Sequence, residues 1–247
     1  MPFTFSHPAI ILPLLKLSKN RVSATALFAG SMAPDFEYFI NFQMKQVHGH
    51  TNAGMFYYDF PLAILLCFAF HSLVRDALIH YSPRFIKNRW CHYIGYDWKN
   101  RWKDNWKMIM VSAMIGVFSH IFLDSFTHPH RFMTDHIDFL SSTVYFFGSE
   151  MIVYNIGQTW GSVFGLMAIM AVVIREPEKR QFRSGFRTKI IFWMLAVSIS
   201  ILILMLRNVQ HPGDFIATSI AGGLIGLMVA PALMKTLKIE EEQEILY

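Results

Sequence analysis

Five apolar stretches decide what this 247-residue chain can become. They run from Phe56 to Ile79, Met108 to Phe126, Gln158 to Ile174, Ile190 to Leu206 and Phe215 to Met234. A bilayer core of ~30 Å is crossed by about 20 mostly apolar helical residues, and these stretches meet or approach that length. Inside hydrocarbon the backbone must satisfy its own hydrogen bonds, so the stretches must be helical. A sixth stretch, Val22 to Phe42, contains Gly30, Pro34 and Asp35. Proline is expected to end or kink that helix. The run Ala9 to Leu17 is too short to span and is expected to be a re-entrant or interfacial helix. Composition agrees, with 53% hydrophobic and only 16% charged residues, whereas soluble domains carry about 25% charge. The expected fold is all-α: a multi-pass transmembrane helical bundle of about six spans plus the short N-terminal helix. Residues 1–247 then form a single integral-membrane domain. The first lysine is Lys16, so the start lacks the basic-then-apolar pattern of a cleavable signal peptide.

The net charge of +5 is unevenly spread. Seven basic residues lie between Ser82 and Lys107, and six more at Arg175, Lys179, Arg180, Arg183, Arg187 and Lys189. The positive-inside rule assigns loops 82–107 and 175–189 to the cytoplasm. Two spans separate them, so the assignments agree. The tail 235–247, with Lys235 and Lys238, and the early Lys16, Lys19 and Arg21 fall on the same side. The other connections carry few cations, among them Lys45, Arg131 and Arg207, and are expected outside. Trp90, Trp98, Trp102 and Trp106 suit an amphipathic stretch lying on anionic headgroups. The basic charge therefore reads as topology in a cell inner (plasma) membrane with membrane lipids as partners. No nucleic-acid-binding module is recognisable. Cys67 and Cys91 have no CxxC spacing and imply no disulfide framework. The Glu240-Glu241-Glu242 run reads as a solvated tail.

Within the second long stretch, His120, Asp124 and His128 stand at i, i+4 and i+8. In a helix these positions lie about 40° apart and share one face. Ionisable groups in a span are costly and are functional candidates by default. A metal accounts for all three, because neutral imidazole and carboxylate are its usual N/O ligands. With the basic loops inside, this face sits in the outer half of its helix. His7, Asp35, and the loop residues His48 and His50 come to the same level. A site built from His7, Asp35, His50, His120, Asp124 and His128 is therefore topologically possible. Its imidazole content suits zinc, or manganese or iron, better than calcium or magnesium. Six ligands exceed one tetrahedral zinc, so two metals fit the count. Pro129 stops the helix beside His128, which is expected as a ligand or as a lid next to the site. His48, His130 and His136 read as solvated loop residues, and Asp135 and Asp138 as ordinary loop carboxylates. His71, His80 and His92 fall near the other side, away from the cluster. Gln158, Trp160 and Ser162 open a span from the outer side and are expected to face the site or, for Trp160, to anchor in an aromatic belt. Ser219-x3-Gly223 and Gly222-x3-Gly226 let the last helix pack closely.

Several segments carry a resemblance: Met1-Pro2-Phe3-Thr4-Phe5-Ser6-His7-Pro8, Gly30-Ser31-Met32-Ala33-Pro34-Asp35-Phe36-Glu37-Tyr38, His120-x3-Asp124-x2-Thr127-His128 and Gln158-Thr159-Trp160-Gly161-Ser162. Together they resemble the bacterial domain-of-unknown-function family 4184, which implies a multi-pass membrane protein. The order of His7, Pro34-Asp35, a loop histidine and His120-x3-Asp124 is distantly similar to inner-membrane metal-dependent hydrolases. That similarity implies a metal held by His7, Asp35, His50, His120 and Asp124. The chain departs from their pattern in two places. Pro34-Asp35-Phe36-Glu37 stands where an Asp-x-Asp is usual, and His48-Gly49-His50-Thr51 lacks the nearby arginine.

The expected function is a metal-dependent hydrolase at the extracytoplasmic membrane surface, acting on a lipid or lipid-linked ester or phosphoester. Asp35 and Asp124 are the catalytic candidates, either as ligands or as general base. Two other readings stay open: metal-ion or proton transport, and a scaffold in which these residues tie helices together.

Overall fold

The computed structural model describes residues 4–18, 21–179, 182–184, 186–237, 239 and 243–245, with no side-chain description for 182–184 and 243–245. Met1, Pro2, Phe3, Lys19, Arg180, Lys238 and Glu240 to Glu242, all invoked above, lie outside the described residues. Among the described residues, five helices are long and apolar enough to cross a membrane: Met55–Tyr81, Trp98–His136, Val153–Arg175, Phe186–Leu206 and Pro212–Thr236. They coincide with the five stretches read from sequence, each extended by polar or amphipathic ends. The protein is therefore a multi-pass helical membrane protein. The short N-terminal helix is also present, as Thr4–Leu17.

The sixth stretch differs from expectation. Ala24–Asn41 is one unbroken helix with Pro34 inside it. Proline removes one N–H and crowds the carbonyl four residues back, here that of Gly30. Membrane helices tolerate this because neighbours re-satisfy freed backbone groups. The expected break at Asp35 is thus absent, and Asp35 sits in mid-helix. The N-terminal helical course also starts earlier than the apolar run that begins at Ala9. It begins at Thr4, so His7 lies within it, held where the Thr4 hydroxyl donates to the Asp35 carboxylate. A real irregularity occurs instead at Asn105 (φ −133°, ψ 23°), where Trp98–Thr127 is kinked. It divides the tryptophan-rich, basic start from the apolar span. The Met55–Tyr81 span contains two π-helical turns, Met55–Asp59 and Phe70–Val74.

The chain divides into two compact units. The first comprises residues 1–35, 48–67 and 101–172. Its organising contact is a close crossing of Ala24–Asn41 and Trp98–Thr127. Gly30 and Gly116 meet there, and a Cβ on either would collide with the other helix's backbone. Small residues permit such backbone approach when no hydrophobic force drives helices together. Gly165 similarly lets the N-terminal helix rest on Val153–Arg175, since a Cβ there would lie 2.9 Å from the Ser6 carbonyl oxygen. Between those spans, Thr143–Phe146 and Ser149–Ile152 pair antiparallel. Phe147 and Gly148, both at positive φ (47° and 83°), close the hairpin, as a two-residue type I′ turn requires.

The second unit comprises residues 36–47, 68–100 and 173–247. Phe186–Leu206 packs on Pro212–Thr236 around Phe192, Ala196, Ala230 and Met234. Gly222 and Gly226 face that contact, against Ser200 and Ala196, whereas Gly223 faces open space. Of the two small-residue pairs, Gly222-x3-Gly226 therefore forms the seam. Arg89 pairs with Glu178 at 2.9 Å, and the Lys179 N–H donates to the Asn88 carbonyl. Phe182–Ser184 pairs antiparallel with Gln243–Ile245. Cys67 and Cys91 are buried free thiols.

Candidate functional site

Helical spacing alone puts Gly116, His120 and Asp124 on one face, four residues apart each time. The facing helix repeats the spacing with Leu27, Ser31 and Asp35. Close approach at Gly30 and Gly116 sets the two rows against each other, one turn further along. There His120 Nδ1 lies 2.8 Å from the Ser31 carbonyl oxygen. A carbonyl only accepts, so Nδ1 carries the proton. In the neutral ring Nε2 then presents its lone pair to the opposite side.

That lone pair faces the other expected residues. His120 Nε2 is 2.9 Å from His50 Nε2, 3.4 Å from Asp124 Oδ2 and 3.7 Å from Asp35 Oδ1. His50 Nε2 is 2.9 Å from Asp124 Oδ2 and 3.5 Å from Asp35 Oδ1. His7 Nε2 is 3.1 Å from Asp124 Oδ1, and its ring stacks on His120 at 3.9 Å. His7 and His120 are fully buried, and Asp35 and Asp124 nearly so. All six residues named from sequence are brought together. His128 is the outer member, 3.4 Å from Asp124 Oδ1 and 3.3 Å from Gln158 Nε2, with a quarter of its side chain exposed.

The donor set fits a metal on two counts. Metal–nitrogen and metal–oxygen bonds of ~2.1 Å at tetrahedral angles place neighbouring donor atoms about 3.3 Å apart, and the separations here run from 2.9 to 3.7 Å. Two groups, His7–Asp35–His120 and His50–His120–Asp124, have their donor atoms within 4.8 Å of one another and can hold an ion. The second count is charge. Two carboxylates, Asp35 and Asp124, are buried together in the helical core, and burying such charge is costly unless a cation balances it. Burial holds the His7 imidazole well below its ordinary range and so neutral. Among the described residues, His7 Nδ1 and His50 Nδ1 are buried without a hydrogen-bond partner.

Three supporting groups lay beyond the sequence reading. The Thr4 hydroxyl donates to Asp35 Oδ2 at 2.8 Å. The Ser31 contact uses a backbone carbonyl, which no side-chain pattern announces. Arg131 Nη1 donates to the His50 carbonyl at 3.0 Å, steadying a residue in the left-handed region (φ 60°). Non-glycine residues there are uncommon and cluster at functional sites. Gln158 reaches His128, but Ser162 bonds within its own helix and Trp160 stacks on Phe147. Trp160 therefore belongs to an aromatic group with the hairpin, where Tyr145 and Phe147 are 76% and 83% exposed. His48, His130 and His136 are exposed, as expected. His71 is not idle: it stacks on Trp98 at 4.1 Å and bonds the buried Arg75, which also donates to the Tyr96 carbonyl.

Fold and site together define a polytopic α-helical membrane protein with a buried histidine–aspartate cluster. The chain belongs to the family described as Domain of unknown function (DUF4184), whose model matches residues 1–234. No curated protein and no solved structure matches it.

Proposed function

We propose that this protein is a metal-dependent hydrolase whose site opens at the extracytoplasmic face of the cell inner membrane, acting on a lipid or lipid-linked phosphoester. The observation that carries the reading is the convergence of three imidazole Nε2 atoms and two carboxylates at 2.9 to 3.7 Å, with His120 oriented by a carbonyl. Orientation of a ligating histidine by a backbone carbonyl is the usual arrangement in metal sites. His7, Asp35, His50, His120 and Asp124 hold the metal, zinc first by donor type, with manganese or iron as alternatives. When bound, such an ion lowers the pKa of water towards ~7 and so supplies hydroxide at neutral pH. Asp35, whose second oxygen accepts the Thr4 hydroxyl, would serve as a ligand or as the general base of the site. His128, the more exposed member beside Gln158, stands at the edge of the set as a further ligand or as a lid over it. Arg131, whose guanidinium already reaches the His50 loop, is placed to neutralise an anionic phosphoester.

Sidedness follows from the basic loops. Loops 82–107 and 175–189 are joined by Arg89–Glu178 and Lys179–Asn88, and the 243–245 strand pairs with 182–184. These contacts support one common side for both loops and the tail, the cytoplasm by the positive-inside rule. The exposed aromatics of the hairpin, beyond the end of the His120 helix, suit a membrane interface and hence a lipid substrate.

Metal counting on protein purified in mild detergent tests the reading. Stoichiometric zinc, manganese or iron in wild type, lost in His120→Ala and Asp124→Asn, is the expected result. Absence of bound metal from wild type sinks the proposal. Metal without turnover on phospholipids and lipid diphosphates favours ion binding or transport instead. A compartment-sensitive reporter fused after Arg131 checks the sidedness, which cytoplasmic signal overturns.

A further inference from the structure

The second unit carries a groove of about 820 Å³ that the hydrolase reading does not use. It is lined by Tyr81, Arg84, Lys189, Trp193, Met194 and Val197, with a few further residues. Tyr81 ends one span and Phe186, also in the lining, begins another. Their helices touch here: Tyr81 stacks on Phe192 at 4.4 Å, and Trp193 Nε1–H donates to the Tyr81 carbonyl at 3.0 Å. The groove therefore lies where two spans leave the hydrocarbon.

Its chemistry is divided. Trp193, Met194, Val197 and Ile190 make an apolar trough running along the span. At the mouth stand two cations, Arg84 and Lys189, and among the described residues no acidic one lines the groove. Among the described residues neither cation is in an ion pair. Two like charges left side by side at an apolar groove raise each other's energy unless an anion joins them. A trough for a hydrocarbon chain with paired cations at headgroup level is complementary to one kind of molecule. Basic pockets between helix ends bind anionic lipid headgroups in this way, and tryptophan is at home at that depth.

We propose that this groove is a binding site for an anionic phospholipid. An acyl chain lies along Trp193, Met194 and Val197, and the phosphate lies between Arg84 and Lys189. The site is separate from the histidine–aspartate cluster and does not depend on its activity.

The test is quenching of Trp193 by lipids brominated on their acyl chains, in vesicles of phosphatidylcholine with added phosphatidylglycerol. The Trp193 contribution is the difference between wild type and Trp193→Phe. Brominated phosphatidylglycerol is expected to quench it at a several-fold lower mole fraction than brominated phosphatidylcholine. Removing both cations, as Arg84→Gln/Lys189→Gln, abolishes that preference. Both residues are solvent-accessible enough to change without unfolding, and native mass spectrometry of retained lipid gives a second readout on the same variants. Equal quenching by the two lipids in wild type overturns the proposal, as does a preference that survives in the double variant. Displacement by glycerol phosphate, which has no acyl chain, overturns the lipid assignment.

Discussion

Replacing Gly30 by alanine puts a methyl group into the backbone of the facing helix. The added Cβ falls 3.0 Å from both Ala113 C and Gly116 Cα, and nearer still to the Ala113 carbonyl oxygen. Carbon contacts are comfortable at ~3.5–4.0 Å, so the helices must part by about 0.5–1 Å. Backbone on both sides leaves no flexible side chain to absorb the change. The His120–Ser31 hydrogen bond, 2.8 Å in the native crossing, stretches to ~3.3–3.8 Å, outside the ordinary range for N–H···O. Loss of such an orienting partner costs about 10- to 100-fold in metal affinity, or about 1.4–2.8 kcal/mol. Overpacking adds about 1–3 kcal/mol of destabilisation. The assay is metal content and competitive metal affinity of Gly30→Ala in detergent, with thermal unfolding alongside. Gly223→Ala is the control, because its Cβ meets nothing within 4 Å. Gly30→Ala with wild-type metal affinity and an unchanged thermal midpoint refutes the reasoning that this crossing builds the site.

Three further outcomes are expected. Stripping the metal with a chelator lowers the thermal midpoint, and restoring zinc raises it; free metal at 100 times its Kd contributes about 2.7 kcal/mol. An unchanged midpoint in a scanning-fluorescence experiment contradicts a resident ion. Thr4→Val removes the hydroxyl from Asp35 and lowers turnover about tenfold while retaining metal; titrating activity and metal content on one preparation separates the two. Gly226→Ala drives a methyl group into the Ala196 backbone and costs about 1–3 kcal/mol of stability. Metal content per folded molecule stays at the wild-type level, since Gly226 belongs to the second unit.

The spans were readable because hydrocarbon imposes one pattern, a long apolar run, that needs no partner to be recognised. The spacing of His120, Asp124 and His128 was readable because ionisable groups stand out against that background. Pro34 was misleading: the rule that proline breaks a helix describes an isolated strand of backbone, whereas a tightly packed neighbour can carry it through. Ser31 was invisible because its carbonyl, not its side chain, does the orienting. Gly30 and Gly116 looked like ordinary small residues, 86 positions apart in sequence; only the crossing reveals that they share a contact. Arg131 appeared as one stray cation in a loop, since nothing local ties it to His50.

The contact between His7 and Asp124 joins residues 117 positions apart, and that distance bears on how the protein is made. Synthesis delivers His7, Asp35 and His50 to the membrane first, on segments that precede the Trp98–Thr127 helix. At that stage the emerging chain holds a partial set of donors and lacks the aspartate that faces four histidines at once. The centre cannot close until the later helix has inserted and docked at its glycine. Assembly of the cluster is thus a step of maturation, set by the order of membrane integration, and a ribosome stalled before residue 124 leaves an intermediate with the donors gathered only in part.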